Sequence, residues 1–230
     1  MMTKTPNTRR SVSRLNKQAE PPGKTKLIAA LRHLLEERDF SSITTAEIAT
    51  SAETNEALIY RYFGDKRGLL HRVLAEYLQQ MLDRIDAHCE QIDDPVERLR
   101  TLIWHSFEVY GKYRVFAKIV LFEARCFQGY FESEAYQLVR RYAHLFSDTI
   151  EECIETGEFR SDIPPRQIRD SIIGIIEHLT MHDVISGKTV DPDAYTRAAS
   201  EIVLNGVLNK RSNHAKGTKA MESGKVPALK

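Results

Sequence analysis

From residue 24 to about residue 209, apolar side chains recur at three- and four-residue spacing. Nowhere do Val, Ile and Thr gather into an alternating run bounded by turn residues. The first pattern buries one face of a helix, and the second is what a half-buried strand would need. The expected fold class is therefore all-α. Leu27, Ile28, Leu31, Leu34 and Leu35 form the first stripe, on a helix over about 24–38. Thr44, followed three residues later by Glu47, is a capping box opening a short second helix near 45–52. Asn55 is a good N-cap for a third helix over 55–63, which Gly64 stops. Six longer helices are expected at about 66–91, 95–112, 114–126, 132–156, 165–186 and 192–209. Pro95, Pro164-Pro165 and Pro192 stand at helix starts, where a missing N–H costs nothing.

The formal net charge of +1 conceals an asymmetry. Residues 1–23 carry +4, residues 24–72 carry +1, residues 73–208 carry −9 and residues 209–230 carry +5. An acidic body with basic ends suits a polyanionic partner. Residues 1–22, without periodicity, read as a disordered basic arm, and residues 210–230 as a disordered basic tail. No run approaches 18 apolar residues, and the basic N-terminus precedes no apolar segment. Neither a membrane span nor a secretory signal is expected. Cys89, Cys126 and Cys153 are far apart with no CxxC, which fits buried thiols in a reducing cytosol. The expectation is a cytoplasmic protein with no membrane partner.

Two short helices buttressed by a first form a helix-turn-helix. Across residues 27–74 the sequence closely resembles the DNA-binding domain of the TetR repressor family. The matching features are Glu37-Arg38-Asp39-Phe40, Thr44-Thr45-x-x-Ile48-Ala49, and Ile59-Tyr60-Arg61-Tyr62-Phe63 followed by Asp65-Lys66-x-x-Leu69-Leu70. The resemblance implies a DNA-binding domain over 23–70 and a helical effector-binding and dimerisation domain over 71–209. Two positions depart from the family. Glu53 stands where a turn glycine is usual, and Thr54 where a buried valine is usual. A non-glycine residue at positive φ costs about 1–2 kcal/mol.

By the same resemblance, Thr44, Thr45, Tyr60, Tyr62 and Lys66 match positions that clamp the DNA backbone. Ala46, Glu56, Ala57 and Arg61 match positions facing base edges, and Asn55 heads the same helix and is grouped with them. The chemistry suits these roles. Hydroxyls and Lys66 donate to phosphates, Arg61 could fork onto a guanine, and Glu56 could accept from a cytosine amine. The alternatives are core packing for Tyr60 or Tyr62 and a solvated charge for Glu56. The basic arm would add salt-sensitive affinity or reach a minor groove.

Twelve of the nineteen aromatic residues lie between Trp104 and Phe146. Such density suits an apolar pocket between helices, and equally an ordinary core. The proposed effector lining is Trp104, Phe107, Tyr110, Phe122, Glu123, Tyr142, Phe146 and His178. His178 and His182 share a helical face at a metal-chelating spacing, but Glu177 and Asp183 are expected on other faces, so no metal site is assigned. No nucleophile elbow, HExxH, phosphate loop or dinucleotide fingerprint is present, so neither a catalytic residue nor a cofactor is assigned.

The last two helices carry apolar stripes. By resemblance they meet their twins in a four-helix interface, with Ile172, Ile176, Leu179, Ile202 and Val203 as its contacts. That would give a homodimer suited to a pseudo-palindromic duplex. Val120-Leu121-Phe122-Glu123-Ala124-Arg125 and Gly157-Glu158-Phe159-Arg160-Ser161-Asp162-Ile163 are loosely similar to family members that respond to fatty acyl-CoA. The reading is a repressor released from double-stranded operator DNA by a small apolar or amphipathic effector. The alternatives are a helical enzyme using the aromatic region and a ligand-blind DNA-binding module.

Overall fold

The computed structural model describes residues 20–208 except residue 127, and no side chains at 126–128. The expected arm up to residue 19, and the tail from 209, lie outside the described residues. The described residues form two compact units, which divide between Lys66 and Arg67. Their boundary falls at the start of the fourth helix, four residues before the expected one.

The small unit holds α1 (Pro22–Glu37), a 3-10 turn (Phe40–Ser42), α2 (Thr45–Ser51) and α3 (Ala57–Phe63). α1 packs on α2 and α3 through the expected stripe: Leu27, Ile28, Leu31 and Leu35 are buried, as are Phe40, Ile43, Ile48 and Ile59. Close approach at the N-terminus of α1 depends on Gly23, where a Cβ would lie 3.2 Å from Leu58 Cδ1 of α3.

Glu53 adopts φ +49. Its N–H bonds the carbonyl of Thr50 (3.1 Å), and the N–H of Thr54 bonds the carbonyl of Ala49 (3.0 Å). Those two bonds define a Schellman ending for α2, a motif that favours glycine where Glu53 stands. The departure from the family therefore leaves the turn geometry intact and places the strain on Glu53. Gly64, at φ +80, ends α3 without that cost.

The larger unit continues through α4 (Lys66–Cys89), α5 (Pro95–Lys112), α6 (Arg114–Lys118), α7 (Glu134–Glu155), α8 (Pro165–Ser186) and α9 (Pro192–Val207). α6 does not run unbroken to residue 126 as the periodicity suggests. It passes into a π turn at Ile119–Glu123 and a 3-10 turn at Ala124–Cys126. Prolines open α5, α8 and α9, and Asp94 and Asp191 accept hydrogen bonds from the first amides of α5 and α9. α5 is central, packed by α6, α7, α8 and α9. Cys153 is buried, and desolvation pushes its thiol up to about 12, so it is held as an unreactive thiol. Among the described residues there is no strand, only a bridge between Phe159 and Leu208. No helix among them is long and apolar enough to cross a membrane.

Candidate nucleic-acid interface and effector site

Burial divides α3 by the helical repeat. Ile59 is buried, Leu58, Tyr62 and Phe63 are half-buried, and Ala57, Tyr60 and Arg61 face solvent. The last three follow i, i+3, i+4 spacing and so occupy one outward face. Tyr60 is 54% exposed, which rejects core packing for it. Tyr62 is only half-buried, with its ring edge-on to Phe63 (6.2 Å) and Arg61 lying 5.8 Å over its centroid. Asn55 does not point outward at full capacity, because its Oδ1 accepts from the N–H of Ala57 (2.8 Å) and so caps α3. Glu56 is half-buried.

At the other end of the motif, Thr44 and Glu47 form the expected box. Glu47 N–H donates to Thr44 Oγ1 (3.2 Å), and Thr44 N–H donates to Glu47 Oε2 (2.7 Å). Thr44 Oγ1 also donates to Glu47 Oε2 (2.8 Å), while Arg38 donates to Oε1 (3.0 Å). The Arg38 bond and the two from Thr44 hold the Glu47 carboxyl at about 2. The Thr44 hydroxyl is thus committed within the cap. Thr45 is half-buried and Ala46 exposed. Lys66 is committed too: its Nζ donates to the carbonyls of Phe40 (2.9 Å) and Ile43 (2.5 Å) and lies 4.2 Å over the Phe40 ring. The sequence alone offered no sign of this anchoring role.

In the larger unit the expected effector residues separate. Tyr142 and Phe146 meet at 5.1 Å, and Tyr142 OH shares a 2.5 Å hydrogen bond with Ser106 of α5. Burial raises the Tyr110 and Tyr142 hydroxyls well above the ordinary tyrosine range, and the Glu177 charge adds to both. Phe107 is fully buried against Tyr195 (5.4 Å), so it serves the α5–α9 packing. Trp104 is half-buried and tied to α9, its Nε1 donating to Asp193 Oδ1 (2.6 Å). His178 is exposed on α8 and is not enclosed with Tyr142 and Phe146. Phe122 is exposed and Glu123 half-buried. The partner of Arg125 is Glu177, a residue expected to point elsewhere and missed because fifty-two positions separate the two.

The stripe on α8 requires another correction. Ile172 and Ile176 are each 1% exposed within the chain itself. A side chain buried in its own core has no surface to give a partner. Leu179 and Val203 are half-buried, whereas Ile202 is 66% exposed. The outward apolar residue on α8 is Ile185, at 60%. Asp183 also differs from expectation, lying 3.1 Å from His182 Nδ1. Among the described residues, no group of three or more potential metal ligands is gathered.

A small three-helix unit presenting an outward helix-turn-helix, followed by a larger helical bundle, defines a DNA-binding regulator. The chain belongs to the TetR family of transcriptional regulators. Residues 27–73 match the family described as Bacterial regulatory proteins, tetR family, and residues 92–207 match the Tetracyclin repressor-like, C-terminal domain. This membership decides for a regulator over the helical-enzyme alternative.

Among its relatives is the Fatty acid metabolism regulator protein of Bacillus subtilis (strain 168), 21% identical over 189 residues, covering 82% of this chain and 97% of that protein. The fold is shared with the fatty acid degradation regulator FadR of Bacillus halodurans (TM-score 0.71, 21% identity, 82% of this chain and 98% of that one). It is also shared with FadR of Bacillus subtilis in complex with stearoyl-CoA (TM-score 0.70, 20% identity, 79% and 98%).

Proposed function

We propose that the chain is a cytoplasmic, homodimeric repressor that leaves a pseudo-palindromic operator when a long-chain acyl effector binds the larger unit. Arg61, Tyr60, Ala57 and Ala46 face the duplex. Arg61 reads a base edge, and Tyr60 holds backbone. Tyr62 and Thr45, half-buried, reach phosphates from the flanks, and Glu56 borders the groove. Thr44, Asn55 and Lys66 act chiefly by positioning, since their polar atoms already hold the helix starts. The Lys66 ammonium, while holding the two carbonyls, also brings positive charge to this end of the motif, where a phosphate would pass. The outward faces of α8 and α9, with Ile185 and Ile202, are the pairing surface in this reading. An exposed isoleucine on each of two packed helices supports a two-fold four-helix contact in this reading.

The observation carrying the effector reading is the Ser106–Tyr142 hydrogen bond beside Tyr110 and Phe146. It supplies a polar point within an aromatic interior, as an amphipathic ligand requires. The stearoyl-CoA held by the Bacillus subtilis FadR structure favours an acyl chain as that ligand. Ligand and DNA would then select different conformations of one two-state protein. Palmitoyl-CoA added to the protein on a duplex selected from random sequence tests this. Release of the duplex together with a raised melting temperature is expected. A duplex retained by acyl-saturated protein would favour the ligand-blind alternative.

A further inference from the structure

Arg125 and Glu177 are joined in parallel, with Nη1 donating to Oε2 at 2.8 Å and Nη2 donating to Oε1. Arg125 sits where the chain has left α geometry, just after the π turn that extends α6. Such departures recur at functional sites. Glu177 of α8 is 17% exposed in its side chain and Arg125 46%. A half-buried ion pair is weak evidence of stability, because desolvating both charges offsets their attraction. Its surroundings offer another reason for its place. The two charges act on the hydroxyls of Tyr110 and Tyr130, and that of Glu177 also acts on Tyr142, which Ser106 already bonds. A guanidinium fork grips a ligand carboxylate or phosphate in the same geometry in which it grips Glu177.

We propose that Arg125 is the anion-recognising residue of the effector site, and that Glu177 is a resident carboxylate which the anionic head of the effector displaces. The proposal rests on the effector-responsive reading above. Displacement unties the extension of α6 from α8, so occupancy is linked to the helix on which Glu177 sits.

The test titrates the full chain with palmitate, methyl palmitate and palmitoyl-CoA, following melting temperature in every variant. In the wild-type chain, palmitate or palmitoyl-CoA should bind at least about tenfold tighter than the neutral ester. Glu177→Gln removes the competing charge and should tighten the anionic ligand several-fold while leaving the ester unchanged. Arg125→Gln should erase the preference for the anion, and Arg125→Lys should restore part of it. A loss against palmitate assigns a carboxylate, and a loss against palmitoyl-CoA alone assigns a phosphate of coenzyme A. A merely structural ion pair would respond alike to both substitutions, since each breaks the same pair. Parallel weakening by Glu177→Gln and Arg125→Gln, or no change with Arg125→Gln, overturns the proposal while the effector reading survives. Failure of the wild-type chain to bind any of the three overturns both.

Discussion

The small unit and the larger one hide their apolar residues in different ways. In the small unit, the outward face of α3 is Ala57, Tyr60 and Arg61, with no aliphatic side chain larger than alanine among them. In the larger unit, α8 buries Ile172, Ile176 and Val184 on one side and leaves Ile185 exposed on the other. A helix with apolar residues on more than one side has more to cover than its own chain supplies. The contrast is between an outward face of polar and aromatic groups and a helix that leaves an isoleucine uncovered, and the proposed DNA and pairing surfaces rest on it.

Core substitution should show the contrast most strongly. Ile176→Ala should cost about 2–5 kcal/mol, as removal of a fully buried isoleucine does. Ile185→Glu and Ile202→Glu, made together on the exposed face, should leave the melting temperature of the monomer little changed and convert dimers to monomers in sedimentation. If Ile185→Glu and Ile202→Glu remained dimeric, the pairing surface would lie elsewhere.

In the small unit, Lys66→Ala separates anchoring from phosphate contact. Losing two charge-assisted bonds to carbonyls should destabilise the unit by about 1–3 kcal/mol. A pure phosphate clamp would only flatten the salt dependence of DNA binding by about one unit. Chemical denaturation and a salt series distinguish the two. Arg61→Ala should leave stability unaltered and relax preference at one base pair per half-site by about 1–3 kcal/mol. Unchanged selectivity would move Arg61 to the backbone contacts.

Smaller effects concern the ends of α2. Glu53→Gly relieves a left-handed residue and should stabilise by roughly 0.5–1 kcal/mol, after the added entropy of unfolded glycine is deducted. The other end is pH-dependent. The Glu47 carboxyl titrates at about 2 when folded, against 4.5 for the free group. Its contribution is complete above pH about 4.5 and is lost as pH falls toward about 2. Because the pair is open to water, the loss should be slight, and Glu47→Gln should abolish its pH dependence. An unaltered acid profile in that variant would assign the dependence to other carboxylates.

Legibility in the sequence followed the range of the interactions. Thr44 with Glu47, Asn55, Gly64 and the helix-opening prolines act within a few residues, so their elements could be read directly. α5 and α8 fall on the expected residues, 95–112 and 165–186. The stripe of α8 identified a helix but not which side of it met the chain's own core, because periodicity carries phase and not partner. That is why the stripe alone assigns Ile176 to the dimer interface, whereas the chain's own core covers it. Arg125–Glu177, Trp104–Asp193 and the Lys66 anchor join positions 52, 89 and at least 23 residues apart. No local pattern encodes such pairings. The π turn after α6 was also hidden, since its residues keep a helix-like apolar spacing.

The central claim is that one small molecule bound by the larger unit governs the DNA affinity of the other. Fluorescence anisotropy of a labelled, selected duplex, titrated with full-length protein with and without saturating palmitoyl-CoA, tests it most directly. The account predicts an affinity at least about tenfold weaker with the effector, a coupling of about 1.4 kcal/mol or more. Identical curves from protein shown to have bound palmitoyl-CoA would contradict it.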